Sequence, residues 1–219
     1  MNYTDKDITV AVISNAKNKR LHQVTLSCIE SIKNTSDAKI IIYESSDVKY
    51  SEETKKVDYF NYNMICNRAV KNAETDLVVL ANNDLIFMEG WTNLLKYVNA
   101  GFLVCSPVSP GDARQQRLKE FETGYICGRH FSGWCFLIHK KAWKEIGSFD
   151  EDFHFWCADN AIIEQLKAKE ITPLIDPESK VKHLVSQTLI TETNIDELTK
   201  QQVKRFNKKY KQNLFNAGT

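Results

Sequence analysis

Leu77-Val78-Val79-Leu80-Ala81-Asn82-Asn83-Asp84 is the stretch on which the fold turns. An uninterrupted apolar run with β-branched residues predicts a strand buried on both faces, as in a parallel sheet covered by helices. It runs directly into a polar tip. In open α/β sheets, ligands gather beyond the carboxyl ends of the strands. A carboxylate flanked by amides at that edge suits a charged ligand or a hard metal ion. Asn and Asp are equally at home in turns, so a plain polar turn is the competing local reading.

The flanking sequence repeats the pattern. Ile8 to Ile13 predicts a first strand that breaks at Ser14-Asn15, and Leu21 to Lys33 carries apolar residues at helical spacing. Ile40-Ile41-Ile42 predicts a second strand ending in Glu44. Strand, helix, strand is the unit of a parallel sheet. A helix from Asn61 to Ala73 follows, with Asn61 or a neighbour as its cap. Beyond the opening stretch, a short helix around Trp91 to Val98 and a strand at Phe102 to Cys105 are expected. Ser109 to Gly128 lacks a period and reads as a loop. A strand at Phe131 to Ile138, a short helix ended by Gly147, and a helix from Asp159 to Lys169 come next. Two short strands near Thr172–Ile175 and Lys180–Leu184 complete the sheet.

The tail predicts an amphipathic helix. Asn194 and Glu197 approximate a capping box, and Ile195, Leu198, Val203, Phe206, Tyr210 and Leu214 form a stripe. Lys200, Lys204, Arg205, Lys208, Lys209 and Lys211 lie largely off it. They read either as a solvated basic face or as a surface for an anionic acceptor. The expected organisation is one domain over residues 1–190, with a basic helix over residues 191–219 packed on it or extending it.

Global quantities exclude little. The chain has 219 residues, 42% hydrophobic and 26% charged, with formal net charge +1. This is ordinary globular composition and carries no general affinity for polyanions. The six cysteines are scattered without metal-ligand spacing and read as reduced core thiols of a cytoplasmic protein. The sequence shows neither a signal-like start nor an apolar stretch approaching the ~20 residues of a membrane span.

Read in order, these fragments resemble the family 2 glycosyltransferases. The strand Ile8 to Asn15, the helix segment Thr25 to Ile32, and Asn63 to Ala69 followed by Ala73-Glu74-Thr75-Asp76 carry the likeness. So do Asn82-Asn83-Asp84 as a variant Asp-X-Asp, Gly133 to Ile138, Ile146 to Phe153, and Asp159. The resemblance implies an α/β GT-A fold: a Rossmann-like, mostly parallel central sheet flanked by helices, with a C-terminal helical tail. It implies metal-dependent, inverting transfer of one sugar from a nucleotide-sugar, a UDP-sugar being favoured, to an acceptor hydroxyl. Asp84 and His183 would hold Mn²⁺ or Mg²⁺, and Ser14, Asn15, Glu44, Asn67, Asn82 and Asn83 would border the donor. Asp159 would be the base, with Gly133, Trp134 and Trp156 on the acceptor side.

The chain departs from the pattern at three positions. Glu44 stands where relatives usually carry Asp, Ala158 where they often carry an acid, and Asn82 replaces the first carboxylate of Asp-X-Asp. The Gln-X-X-Arg-Trp motif of processive synthases is absent, which favours transfer of a single sugar to a soluble glycan or small molecule. Basic residues Arg114, Arg117 and Lys119 and the Lys-rich tail raise DNA as an alternative acceptor, by way of a flipped hydroxymethylated base. The departures also leave room for a non-catalytic nucleotide-sugar-binding relative. A dinucleotide enzyme is disfavoured, because no Gly-X-Gly-X-X-Gly follows the first strand.

Overall fold

The computed structural model describes residues 2–154, 156–184 and 195–212. In chain order the elements are β1 (Ile8–Ser14), α1 (Lys19–Thr35), β2 (Lys39–Glu44), β3 (Thr54–Lys56), α2 (Tyr62–Asn72), β4 (Leu77–Asn82) and β5 (Leu85–Phe87). After a 3₁₀ turn at Trp91–Leu94 come α3 (Leu95–Asn99), β6 (Val104–Val108), β7 (Glu122–Thr123), β8 (Cys135–His139), α4 (Lys140–Glu145), α5 (Ala158–Ala168), β9 (Leu174–His183) and α6 (Ile195–Tyr210).

The strands form one sheet in the order β3-β2-β1-β4-β8-β6-β9-β5, with β7 paired to β9. From β3 to β4 every pairing is parallel. Beyond β4 the sheet is mixed, since β8 is antiparallel to both β4 and β6, and β6 is parallel to β9.

Two-faced burial explains the apolar run. Val78 and Leu80 of β4 enter one core with Ala11 and Ile13 of β1, beneath α2 and α5. Leu77, Val79 and Ala81 enter the opposite core with Val10 and Val12, beneath α1 and Trp91. Alternate side chains meet different layers of helices, so the strand interiors are almost wholly apolar, and the polar Thr9 is satisfied by a hydrogen bond with Thr75 (2.7 Å). The register pairs Ser14 with Glu44 and Ile13 with Asn82, which brings three polar strand ends to one edge.

Helix starts follow from local chemistry. The side chains of Asn18 and Asn61 accept the backbone N–H groups of Leu21 (2.9 Å) and Met64 (3.1 Å), capping α1 and α2.

Several boundaries differ from the sequence reading. β3 and β5 are three residues each, too short to show a period. β8 begins at Cys135, because Ser132 and Gly133 belong to the loop before it. The two late strands are one, β9. Pro107 pairs with Asp176 but Val108 pairs with Lys180, so residues 177–179 form an irregularity that breaks the sequence pattern without ending the strand. The Ser109–Gly128 loop is stitched internally by Gln115. Its side chain accepts from the Ser109 N–H (2.8 Å) and donates to the Gly128 carbonyl (3.1 Å) and the Ser132 hydroxyl (2.9 Å).

All six cysteines are free, and five are buried. Burial pushes the Cys28 thiol up to about 12, which keeps it protonated and packed as an apolar group. No described helix is long and apolar enough to cross a membrane.

The tail helix α6 docks on the turn after α4. Phe206 is 2% exposed and its ring meets Phe153 at 5.8 Å between centroids. Around that contact Lys209 pairs with Asp150 (2.7 Å) and Asp152 (3.0 Å), and the Tyr210 hydroxyl donates to Asp150 (2.9 Å). Asn194 and Leu214 lie outside the described residues. Removing the buried ring dominates over breaking the half-exposed ion pairs. Phe206→Ala is therefore expected to cost about 3–5 kcal/mol in urea unfolding, and Lys209→Ala under about 1 kcal/mol.

Candidate functional site

Beyond the ends of β1 and β4 opens a cleft of about 1260 Å³. Nine of the twelve residues singled out from sequence line it. Asn15, Asn82, Asn83, Asp84 and His183 come from the strand ends, Gly133 and Trp134 from the residues just before β8, and Trp156 and Asp159 from around the start of α5.

Asp84 and His183 stand side by side, His183 Nε2 lying 3.3 Å from Asp84 Oδ1. Their placement follows from the antiparallel pairing of β5 and β9, which sets Leu85 opposite His183. The Leu184 N–H donates to the Asp84 carbonyl (2.9 Å), and the His183 N–H to the Ser109 hydroxyl (3.0 Å). The Trp134 ring stacks on the imidazole, 5.2 Å between centroids and 19° between planes. One carboxylate and one imidazole are a partial donor set for a divalent cation, to be completed by oxygens of a ligand. Among the described residues, no group of three or more His, Cys, Asp or Glu side chains is arranged to hold a metal.

Asp159 lies in the first turn of α5, against Gly133. Its neighbour Gly133 has no side chain for a specific reason: a Cβ there would lie 2.4 Å from the Asp159 Cβ. The Gly133 carbonyl accepts the Tyr62 hydroxyl, whose proton is held tightly because burial pushes its pKa well above the usual tyrosine range. Asp159 Oδ2 accepts the Cys127 thiol at 3.0 Å, and Oδ1 accepts the Asn160 N–H at 2.9 Å. Burial, and then the Asp159 charge, push the Cys127 thiol up, so it stays a donor to that carboxylate. Immediately before α5, Cys157 takes a left-handed backbone conformation (φ 58°), unusual for a residue with a side chain.

Gly133 and Trp134 thus join two chemical centres. One residue makes room for Asp159 and the next stacks on the partner of Asp84.

Three sequence candidates do not line the cleft. Ser14 is fully buried, and its hydroxyl accepts from the Asn83 amide (3.3 Å), which also donates to Thr25 (2.8 Å). Glu44 is fully buried as well. Its Oε1 accepts the Ala16 N–H (3.1 Å) and the Ser46 N–H (2.7 Å), tying together the loops after β1 and β2. Asn67 spends its amide beneath the turn before α5. Its Nδ2 donates to the Phe149 carbonyl and to Glu151, and its Oδ1 accepts from Trp143 and the Phe149 N–H, all within 2.8–2.9 Å. These three hold the frame of the cleft.

The cleft also contains residues that the sequence reading did not assign to the site. Phe60, Tyr62 and Cys127 line it, as do Arg114 from the long loop and Lys200 and Lys204 from α6. Arg114 is forked onto Asp112 through Nε (3.1 Å) and a terminal nitrogen (2.8 Å). The available signal was the four-residue spacing of Lys200 and Lys204, which places both on one helix face.

The sequence matches no protein-family model and no curated protein. Solved structures do match. The crystal structure of GalNAc-T7 with UDP, GalNAc and Mn²⁺ superposes with a TM-score of 0.66 over 93% of this chain, at 12% identity. This chain spans 49% of the length of that one. The likeness establishes a GT-A glycosyltransferase fold, without pointing to family 2 in particular.

The Gly133–Asp159 contact is directly testable. Gly133→Ala is expected to destabilise by about 1–3 kcal/mol through overpacking. Asp159→Gly, which removes the opposing Cβ, should recover most of that loss in a double-mutant cycle read by urea unfolding.

Proposed function

We propose that this chain is a glycosyltransferase of the family 2 type, moving one sugar from a UDP-sugar to an acceptor hydroxyl with inversion at the anomeric carbon. The observation that carries this reading is the Gly133-Trp134 junction, which sets Asp159 and the Asp84–His183 pair in one cleft of a GT-A sheet. The UDP and Mn²⁺ in the GalNAc-T7 structure favour the same donor class and metal.

The residues divide the work. Asp84 and His183 would hold Mn²⁺ or Mg²⁺, which supplies positive charge against the diphosphate as it leaves. Asn15 and Asn82 border the donor with neutral polar groups. Asn83 keeps the strand end rigid through Thr25 and Ser14. Asp159 receives the proton of the attacking hydroxyl while the new C–O bond forms opposite the bond to the diphosphate. The Cys127 thiol and the Asn160 N–H hold that carboxylate in place. Helix α6 belongs to the same domain and supplies the outer wall of the cleft. The free, buried thiols suit a reducing compartment such as the cytoplasm.

Donor binding and transfer can be separated. UDP with Mn²⁺ should raise Tm beyond either alone, equivalent to about 2.7 kcal/mol at a hundredfold excess over Kd. Asp84→Asn should lose the Mn²⁺-dependent increment. Asp159→Asn should keep it and lower transfer by about 10²–10⁴-fold. A wild-type chain that binds UDP with Mn²⁺ but transfers no sugar from any UDP-sugar would identify a binding module instead.

A further inference from the structure

Helix α6 carries two pairs of cations at four-residue spacing, and the structure treats them differently. Arg205 and Lys209 face the turn after α4, where Asp150 and Asp152 take them up. Lys200 and Lys204 lie one step around the helix and line the cleft. Both are exposed, and neither forms an ion pair among the described residues. The docking of Phe206 on Phe153, flanked by that first pair, fixes the rotation of the helix and commits the second pair to the cavity.

Their position within the cleft separates two ligand ends. Val203, between the two lysines in sequence, packs against the same core as Trp156, Phe60 and Phe153. The α6 face therefore packs on the side of α5, where Asp159 stands, whereas Leu85, Phe87 and Val181 of β5 and β9 belong to the opposite core. Unpaired ammonium groups in a cleft of this size draw in an anion, and a compact, hydrated ammonium suits phosphate oxygens. Arg114, the remaining cation of the lining, is already occupied by Asp112.

We propose that the acceptor is a small phosphate-bearing hydroxy compound, with Lys200 and Lys204 holding its phosphate while its hydroxyl meets Asp159. This rests on Asp159 marking the acceptor side of the cleft. The donor diphosphate would find its counter-charge in the divalent ion that Asp84 and His183 would hold, so the lysines confer selectivity for a charged acceptor over a neutral sugar.

The test is calorimetric binding to the full chain of glycerol 3-phosphate and glucose 6-phosphate, each compared with its neutral parent, with and without saturating UDP and Mn²⁺. At least one phosphate should bind about tenfold or more tightly than its parent, and should still do so when UDP fills the donor side. Lys200→Gln/Lys204→Gln should erase that preference and leave UDP affinity within about twofold. The docking of α6 through Phe206 and Lys209 is untouched by these substitutions, and an unchanged Tm verifies it. Equal binding of phosphates and parents by the wild type overturns the proposal, as does a preference that survives the double substitution. Weakened UDP binding in the double variant would move the lysines to the donor and overturn it too. So would lysine-dependent binding of an oligonucleotide without binding of either small phosphate. Failure of UDP to bind the wild type would instead count against the glycosyltransferase reading, because the phosphate comparison without UDP is still measured.

Discussion

The hydrogen bond from the Asn82 N–H to the Trp134 carbonyl, 2.9 Å long, closes the seam between the parallel and mixed parts of the sheet. It lies one residue beyond the last paired residues of β4 and β8, Ala81 and Cys135. At this point the backbone stops being sheet and becomes site. Upstream of the bond, Gly133 gives its missing side-chain volume to Asp159. At the bond, the Trp134 indole turns onto His183. Downstream of Asn82, the chain turns to place Asp84 against the same imidazole. A shift of one residue in the β4–β8 register would exchange the faces of Gly133 and Trp134 and separate these groups.

Around the seam, buried polar groups hold loops and strand ends together. Glu44, Asn67 and Asn83 each bond to segments distant in sequence, and each is under a tenth exposed. Such groups are expensive to bury unless their bonds are made, and Asn67 makes four. Their worth lies in rigidity, since they fix where the strand ends and loops around the cleft stand.

How much could be read from sequence differs by element. β1, β2, β4 and the helices over them were legible, because two-faced burial writes an apolar run and amphipathic helices write a period. Asp84, Asp159 and His183 were legible as polar residues at the ends of those elements, and the structure brings all three into one cleft. Ser14, Glu44 and Asn67 show the limit of that logic. A polar residue at a strand or helix end can face the ligand or face another loop, and only the packing of the loops decides which. β3 and β5 left no period to detect. Lys200 and Lys204 were visible as charges, but their orientation depends on the docking of Phe206, a contact across distant parts of the chain.

The central strands are specified by apolarity and volume on both faces, and side chains of similar bulk exchange there at little cost. Over long divergence the sheet can therefore keep its shape while nearly every letter in it changes. Gly133 cannot drift in the same way, because even a methyl group would collide with the Cβ of Asp159 beside it. The strands thus tolerate exchange of like for like, while at the seam a single added carbon decides whether the groups of the cleft still meet.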